Sequence, residues 1–225
     1  MALKEKMRKI VLTAALLALV VGVVGLQVAT AAPKPKTVTI DRARPNPVVF
    51  GRTVALSGRL TGSGHAGKTI QVQADEFPYE GSFKNVATPT TNTAGKWAAT
   101  DKPTVNTRYR ARQGSTISGI VTEGVRIRVS LRVSDRTPAS GQRVRFRGRA
   151  CPEHDGARVR IQRRTASGKW RTRRRTTLRD IPGSTCSRYS RRFRVFSDGT
   201  YRAVVVSPDR DHRNGISRRR HLDAH

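Results

Sequence analysis

The stretch GRTVALSGR at residues 51–59 returns as GQRVRFRGR at residues 141–149. In both stretches an apolar side chain occupies every second position, first Val54 and Leu56 and then Val144 and Phe146. A period of two predicts a β-strand with one buried and one wet face. The fold prediction starts from these two strands.

The repetition continues along the chain. IQVQ at residues 70–73 matches VRIQ at 159–162, and YRA at 109–111 matches YRA at 201–203. A period of about 90 residues is too long for a solenoid repeat and corresponds to a whole small domain. The sequence therefore predicts one structural unit of about 90 residues that occurs twice in tandem.

Each copy consists of short alternating segments separated by turn signals such as Ala94-Gly95, Ser167-Gly168 and Asp198-Gly199. No helical period is convincing after residue 31, and several short strands in about 90 residues predict a β-sandwich. Alternation of apolar and polar residues is typical of antiparallel sheets with one solvated face. We therefore expect an all-β protein of two antiparallel sandwiches.

Three segments resemble the tandem immunoglobulin-like domains of secreted bacterial surface proteins. They are the Gly-x-x-Val-x-Leu/Phe-x-Gly strand, the Gly95-Lys96-Trp97 strand and the Asn106-Thr107-x-Tyr109-x-Ala111 strand. The resemblance covers residues 37–225 and implies immunoglobulin-like domains at 37–129 and 130–225. The antibody-type Cys–Trp–Cys arrangement is absent, and the fold implies little about activity.

The N-terminus has the pattern of an export signal. Four basic residues precede an uncharged apolar run from Ile10 to Leu26, and Ala29-Thr30-Ala31 is a small-x-small cleavage pattern. Residues 1–31 are therefore predicted to be a signal peptide or, if uncleaved, an N-terminal anchor, which would be the only membrane contact. The Pro/Lys segment 32–36 is a short linker, and the rest of the chain is expected outside the cell.

The junction between the copies lacks a Gly/Ser- or Pro-rich linker. Residues 120–129 are predicted to be the last strand of copy one, and residues 131–133 the first strand of copy two. We therefore expect a stiff head-to-tail pair.

Both cysteines lie in copy two, Cys151 after one strand and Cys186 before another. If these are the neighbouring B and E strands of the sandwich that the resemblance implies, their ends meet and the thiols form a disulfide. An exported compartment permits oxidation. Free thiols or a metal pair are the alternatives, although two cysteines without nearby Cys/His spacing make a poor zinc site.

Several segments imitate functional motifs. Residues 62–69 fit the phosphate-loop pattern, but a strand pattern follows where that loop needs a helix, so we interpret them as a Gly-rich hairpin turn. His65 and His154, at matching turn positions, are interpreted as solvated. Asp209, Asp211 and Asn214 hint at a calcium loop but lack its spacing and final Glu, and they are interpreted as a hairpin loop. We expect no enzyme, no cofactor and no metal site.

The charge is concentrated in copy two. The formal net charge is +30, and residues 126–225 contribute +20 of it, against +7 from residues 32–125. Alternation directs several arginines of two copy-two strands to one outer face, and these are the predicted polyanion-binding residues: Arg143, Arg145, Arg147, Arg149, Arg192 and Arg194. Arg191 breaks the alternation, which a bulge or a strand end would accommodate.

Copy one has Thr53, Ala55 and Ser57 where copy two has arginine, so genome composition alone does not account for the difference. We therefore predict a non-catalytic exported module that holds an anionic cell-envelope polymer or polysaccharide, with non-specific nucleic acid as a further ligand. The alternative is a structural spacer or an adhesin with a protein partner and incidental charge. The oligomeric state is left open.

Overall fold

The structure is a computed structural model, and it describes residues 34–225. The predicted signal segment 1–31 and the first two linker residues lie outside that range. Residues 34–225 contain no helix, and none of this part has the length and apolar character of a membrane-crossing helix.

The first sandwich has two sheets around one core. One sheet has the strand order β1 (Thr37–Val38), β3 (Val54–Thr61), β6 (Lys96–Asp101). The other has the order β5 (Lys84–Ala87), β4 (Gln71–Glu76), β7 (Thr107–Gln113), β8 (Thr116–Ile117), and β9 (Val121–Glu123) also pairs with β7. Leu56, Ile70, Trp97 and Tyr109 are buried between the sheets.

The second sandwich repeats this arrangement around its own core. One sheet is built on β13 (Arg143–Cys151), which pairs with β11 (Arg128–Val129), β12 (Arg132–Val133) and β16 (Ser187–Arg194). The other has the order β15 (Trp170–Thr177), β14 (Arg158–Arg164), β17 (Gly199–Val205), β18 (Gly215–Ile216), and β19 (Arg220–Leu222) also pairs with β17. Phe146, Ile161, Tyr189 and Tyr201 are buried in this core.

Two antiparallel sheets packed face to face, with chain crossovers between them, are the arrangement of an immunoglobulin-like sandwich. The predicted all-β class of antiparallel, immunoglobulin-like sandwiches is therefore confirmed. One short pair is parallel, between β2 (Val48–Val49) and β10 (Val125–Arg126).

The single strand expected over residues 120–129 is wrong. The segment forms three short strands with three different partners: β9 pairs with β7, β10 with β2, and β11 already with β13 of the second sandwich. The ladder is interrupted because the chain changes partner as it crosses from one sandwich to the other.

The segment at residues 62–69 is followed by strand β4 and not by a helix, as the alternating pattern after it predicted. It is, however, not a hairpin turn. Strands β3 and β4 belong to different sheets, so the segment connects the two sheets at one end of the first sandwich.

Candidate functional site

The predicted arginines lie on the outer face of the β13–β16 pair. In the antiparallel register Arg143 is opposite Arg194 and Arg145 is opposite Arg192, so each pair shares one side of the sheet. The core side carries Val144 and its partner Phe193. All six predicted arginines are exposed.

Two further arginines belong to this surface and were missed. Arg188 is opposite Arg149, and Arg132 of β12 is opposite Arg147. Continuing the alternation of Arg194 and Arg192 through Ser190 would have found Arg188. The arginine face is defined here by these eight residues: Arg132, Arg143, Arg145, Arg147, Arg149, Arg188, Arg192 and Arg194.

The bulge or strand end predicted at Arg191 is wrong. Arg191 is opposite Phe146 in the middle of β16, and the register runs through it without a shift. Apart from an isolated bridge between Arg188 and Arg179, β16 pairs only with β13, so at Arg191 it is the edge of the sheet and the exposed Arg191 side chain reaches solvent there.

The charges of the arginine face are uncompensated. Within residues 34–225 no Lys or Arg lies within 4.0 Å of a carboxylate, and the four ion pairs there all involve histidine. Of the guanidinium groups of the face, Arg194 donates a hydrogen bond to the Gly141 carbonyl at 2.9 Å, and the others have no hydrogen-bond partner in the described chain. Seven of the eight guanidinium groups therefore have neither a counter-charge nor a hydrogen-bond partner within residues 34–225.

A groove of about 610 Å³ runs over the middle of the face. Five of its lining residues are arginines, and none is acidic; the arginines are Arg132, Arg145, Arg147, Arg149 and Arg188. Ser130 and Ser190 add hydroxyl groups to the lining. The charged groups that line the groove are therefore all positive, and all are hydrogen-bond donors.

The equivalent face of the first sandwich carries one pair of opposite basic residues, Arg59 and Lys96, and is otherwise uncharged along the β3–β6 pair. Strand β3 places Ala55 opposite Thr100 and Ser57 opposite Ala98. The Ser57 hydroxyl donates to the carboxylate of Asp41 at 2.8 Å. The same fold with far fewer basic side chains on this face thus lies next to the basic one in a single chain.

The predicted disulfide joins Cys151 and Cys186. Ala150 is opposite Ser187 in the β13–β16 register, so the next pair of positions brings the two cysteines together. The pairing of strand ends that the resemblance implied is confirmed.

His154 is not the solvated residue that its turn position suggested. It is 8% exposed, and Asp209, Asp211 and His212 gather round it at the ends of two loops of the second sandwich. One ligating atom from each of these four residues lies within 4.8 Å of every other. The loop at residues 206–214 connects the antiparallel pair β17–β18, as expected. The sequence did not indicate that this loop contacts His154.

A second group of carboxylates, Glu153, Asp155 and Asp180, is fully exposed and has no histidine among its members. Exposed carboxylates of this kind are ordinary surface residues. They give no reason to assign a site.

The same end of the second sandwich contacts the first. The Asn106 backbone N–H donates to the Asp211 carbonyl at 2.7 Å, and its side-chain amide donates to the Arg210 carbonyl at 2.6 Å. The Asn106 side-chain oxygen accepts from the Val125 N–H at 2.8 Å. Sequence patterns did not indicate the contacts with Arg210 and Asp211, because they join residues more than 100 positions apart.

Glu123 is a buried acid that the sequence also did not single out. One carboxylate oxygen accepts from the Val48 N–H at 2.7 Å, and the other has no hydrogen-bond partner. Burial raises the pKa of Glu123 to about 7, although the Val48 hydrogen bond and the charge of Arg42 act to lower it.

No protein-family model matches the chain, and no curated protein matches it. Among solved structures, the chain is similar to the ectodomain of the polymeric Ig receptor of a teleost fish, with 9% sequence identity. The similarity covers 84% of this chain and 98% of the receptor chain, with a TM-score of 0.33. The immunoglobulin-like assignment rests on the strand order, and this distant likeness adds no argument about function.

Proposed function

We propose that the protein is a non-catalytic exported module that holds anionic polymers on the arginine face of the second sandwich. The carrying observation is the groove lined by five arginines, no acid and no internal counter-charge. Anionic cell-envelope polymers and acidic polysaccharides are the ligand class, and nucleic acid would bind without sequence preference.

The chemistry follows from the guanidinium group. Its planar N–H donors bind a phosphate or carboxylate with two parallel hydrogen bonds, which an ammonium group cannot do. Arginines two residues apart on β13 are about 6.8 Å apart, and opposite arginines on β16 are about 5 Å away. A polymer with regularly repeated anionic groups can therefore engage several guanidinium groups at once.

Repulsion between the arginines of the face also favours the binding of a counter-charge. Like charges directly opposite each other on paired strands destabilise a sheet. Three such pairs lie along β13 and β16, and a fourth lies between β12 and β13. A bound polyanion would relieve this repulsion.

The proposed location outside the cell is supported by the disulfide, since such bonds persist in oxidising compartments. The N-terminal apolar segment supports export as well, and membrane contact would be limited to that segment.

A second candidate function is a rigid spacer or adhesin whose partner is a protein. The hydrogen bonds of Asn106 to the loop that carries Arg210 and Asp211 favour it, because they join the two sandwiches closely. In that case the arginines would keep the surface soluble and contribute nothing to partner binding.

The test is a binding titration of the tag-free protein against polyphosphate, polygalacturonate and single-stranded DNA over a series of salt concentrations. The variant replaces Arg143, Arg145 and Arg147 by their copy-one counterparts, Thr, Ala and Ser. Each phosphate contact contributes about 0.7 to the slope of log affinity against log salt. The triple variant should therefore lower that slope by about 2 and the affinity more than tenfold.

The matched control removes the same charge from the other sheet, at the exposed residues Arg158, Arg171 and Arg175. It should change the affinity much less than the first variant does. Equal losses in both variants would mean a generic basic exterior, and absence of binding to all three polymers would favour the spacer.

A further inference from the structure

The side chains of His154, Asp209, Asp211 and His212 converge where the second sandwich meets the first. His154 follows β13, and the other three lie on the loop between β17 and β18. These are loops of the same end of an immunoglobulin-like sandwich. The cluster is therefore built by the fold and not by neighbouring positions in the chain.

Each histidine has one ring nitrogen occupied outside the cluster. His154 Nδ1 lies 3.0 Å from the Pro152 carbonyl oxygen, and His212 Nε2 lies 2.8 Å from the Thr104 carbonyl oxygen. A carbonyl oxygen only accepts, so both nitrogens carry a proton and donate it. In neutral imidazoles the remaining nitrogens, His154 Nε2 and His212 Nδ1, then hold lone pairs.

Those two free nitrogens face carboxylates. His212 Nδ1 is 2.8 Å from an Asp211 oxygen, and His154 Nε2 is 3.8 Å from the same oxygen and 3.9 Å from an Asp209 oxygen. His212 Nδ1 and Asp211 Oδ1 are completely buried, and despite their closeness neither has a hydrogen-bond partner. A buried imidazole nitrogen and a buried carboxylate oxygen that lie 2.8 Å apart without an aligned hydrogen bond can both be satisfied by one shared cation.

No lysine or arginine supplies a counter-charge to the two carboxylates. It contains 45 Lys and Arg residues, yet none of those in the described part comes within 4.0 Å of Asp209 or Asp211. His212 and His154 are 5% and 8% exposed, whereas the side chains of Asp209 and Asp211 are 45% and 31% exposed, so the cluster is buried on its imidazole side and open to solvent on its carboxylate side.

We propose that His154, Asp209, Asp211 and His212 form a structural site for one divalent transition-metal ion with the ligand preference of Zn²⁺. Imidazole nitrogen and carboxylate oxygen are both zinc ligands, and two imidazoles disfavour Ca²⁺ and Mg²⁺. Tetrahedral ligands at zinc distances lie about 3.4 Å apart, which is within the range of separations in the cluster.

The carbonyl groups that orient the two imidazoles complete the site. Metal-bound histidines generally donate their second N–H to a carbonyl or a carboxylate, which orients the ring. The Thr104 carbonyl belongs to the first sandwich, so the ion would tie two loops of the second sandwich to the first. The metal is expected to stabilise the joint between them.

The test is isothermal titration of the tag-free protein, stripped with a chelator and dialysed, with ZnCl₂ and separately with CaCl₂. One Zn²⁺ should bind per chain and raise the Tm by about 5 °C. Titration with CaCl₂ should show no binding and no change in Tm. Co²⁺ in its place should give the visible absorption of a tetrahedral site.

Two variants locate the ion. Asp209→Asn changes an exposed carboxylate and should fold normally, and His154→Gln removes a buried ligand; each should weaken Zn²⁺ binding at least tenfold. The control is His65→Gln, the copy-one counterpart, whose two ring nitrogens both face carbonyls of the first sandwich. Unchanged binding in Asp209→Asn, no Zn²⁺ binding by the unmodified protein, or binding of Ca²⁺ in preference would each overturn the proposal.

Discussion

Gly58 and Gly148 occupy the same position in the two copies, and an aromatic side chain of the paired strand lies over each. Gly58 is opposite Trp97 and Gly148 is opposite Tyr189. A Cβ on Gly148 would meet the Ser130 carbonyl and lie 2.7 Å from the Tyr189 hydroxyl. That hydroxyl donates to the Ser130 carbonyl at 2.7 Å, so the missing side chain makes room for a buried hydrogen bond.

Gly148→Ala should therefore lower the free energy of unfolding by about 1–3 kcal/mol, the usual cost of overpacking. Urea denaturation followed by tryptophan fluorescence measures it. Gly119→Ala is the control, because a Cβ there has nothing within 4 Å and the substitution should leave stability unchanged. Equal stability of the two variants would contradict this account of the repeat.

At the scale of elements, strands β13 and β16 combine a favourable and an unfavourable interaction. Their inner sides stack Phe146 on Phe193, with ring centroids 4.4 Å apart. Their outer sides place arginine opposite arginine. The disulfide at the end of the pair holds the strands together against that repulsion. The first sandwich, whose equivalent β3–β6 pair has a single opposed basic pair, Arg59 and Lys96, has no cysteine.

Replacing Cys151 and Cys186 together by alanine should lower the free energy of unfolding by about 4 kcal/mol, the loop-closure value for a separation of 35 residues. The loss should be larger at low salt, where arginine repulsion is less screened. Thermal melting at two salt concentrations checks both effects. A loss independent of salt would mean that the repulsion across the strands is negligible.

At the scale of the whole molecule, a chain of net charge +30 buries the acid Glu123 completely. Its carboxylate lies beside β2, near the point where the chain leaves the first sandwich. Because the folded protein holds the proton more tightly than the unfolded chain, this group contributes stability that is present below pH about 4.5 and lost as the pH rises through about 7.

Glu123→Gln should therefore raise the free energy of unfolding at pH 8 relative to the unmodified protein, by about 3 kcal/mol at most, and change it little at pH 4.5. Urea denaturation at pH 4.5, 6 and 8 measures the difference. Glu80→Gln, at an exposed residue, is the control. If the free energy of unfolding changed with pH in the same way for the unmodified protein and Glu123→Gln, ionisation of Glu123 would not destabilise the fold.

Much of the arginine face follows from sequence because alternation is a local property. Once residues 143–149 are a strand, Val144 and Phe146 determine which side is buried, and Arg145 must point outward. Arg188 obeys the same rule. Arg191 does not, because its exposure depends on β16 being an edge strand, and that is a property of the sheet.

The sequence by itself determined the two copies, the strand periods, the all-β class, the partners of the disulfide and the side to which the charges point. Only the tertiary structure decided that Arg132 and Arg188 line one groove, that Glu123 is buried, and that His154 meets Asp209, Asp211 and His212. The physical reason is the separation along the chain over which each kind of interaction acts. Periodicity acts between residues two apart, whereas the meeting of loops depends on which ends of which sheets lie together, and loop residues carry no period that records it.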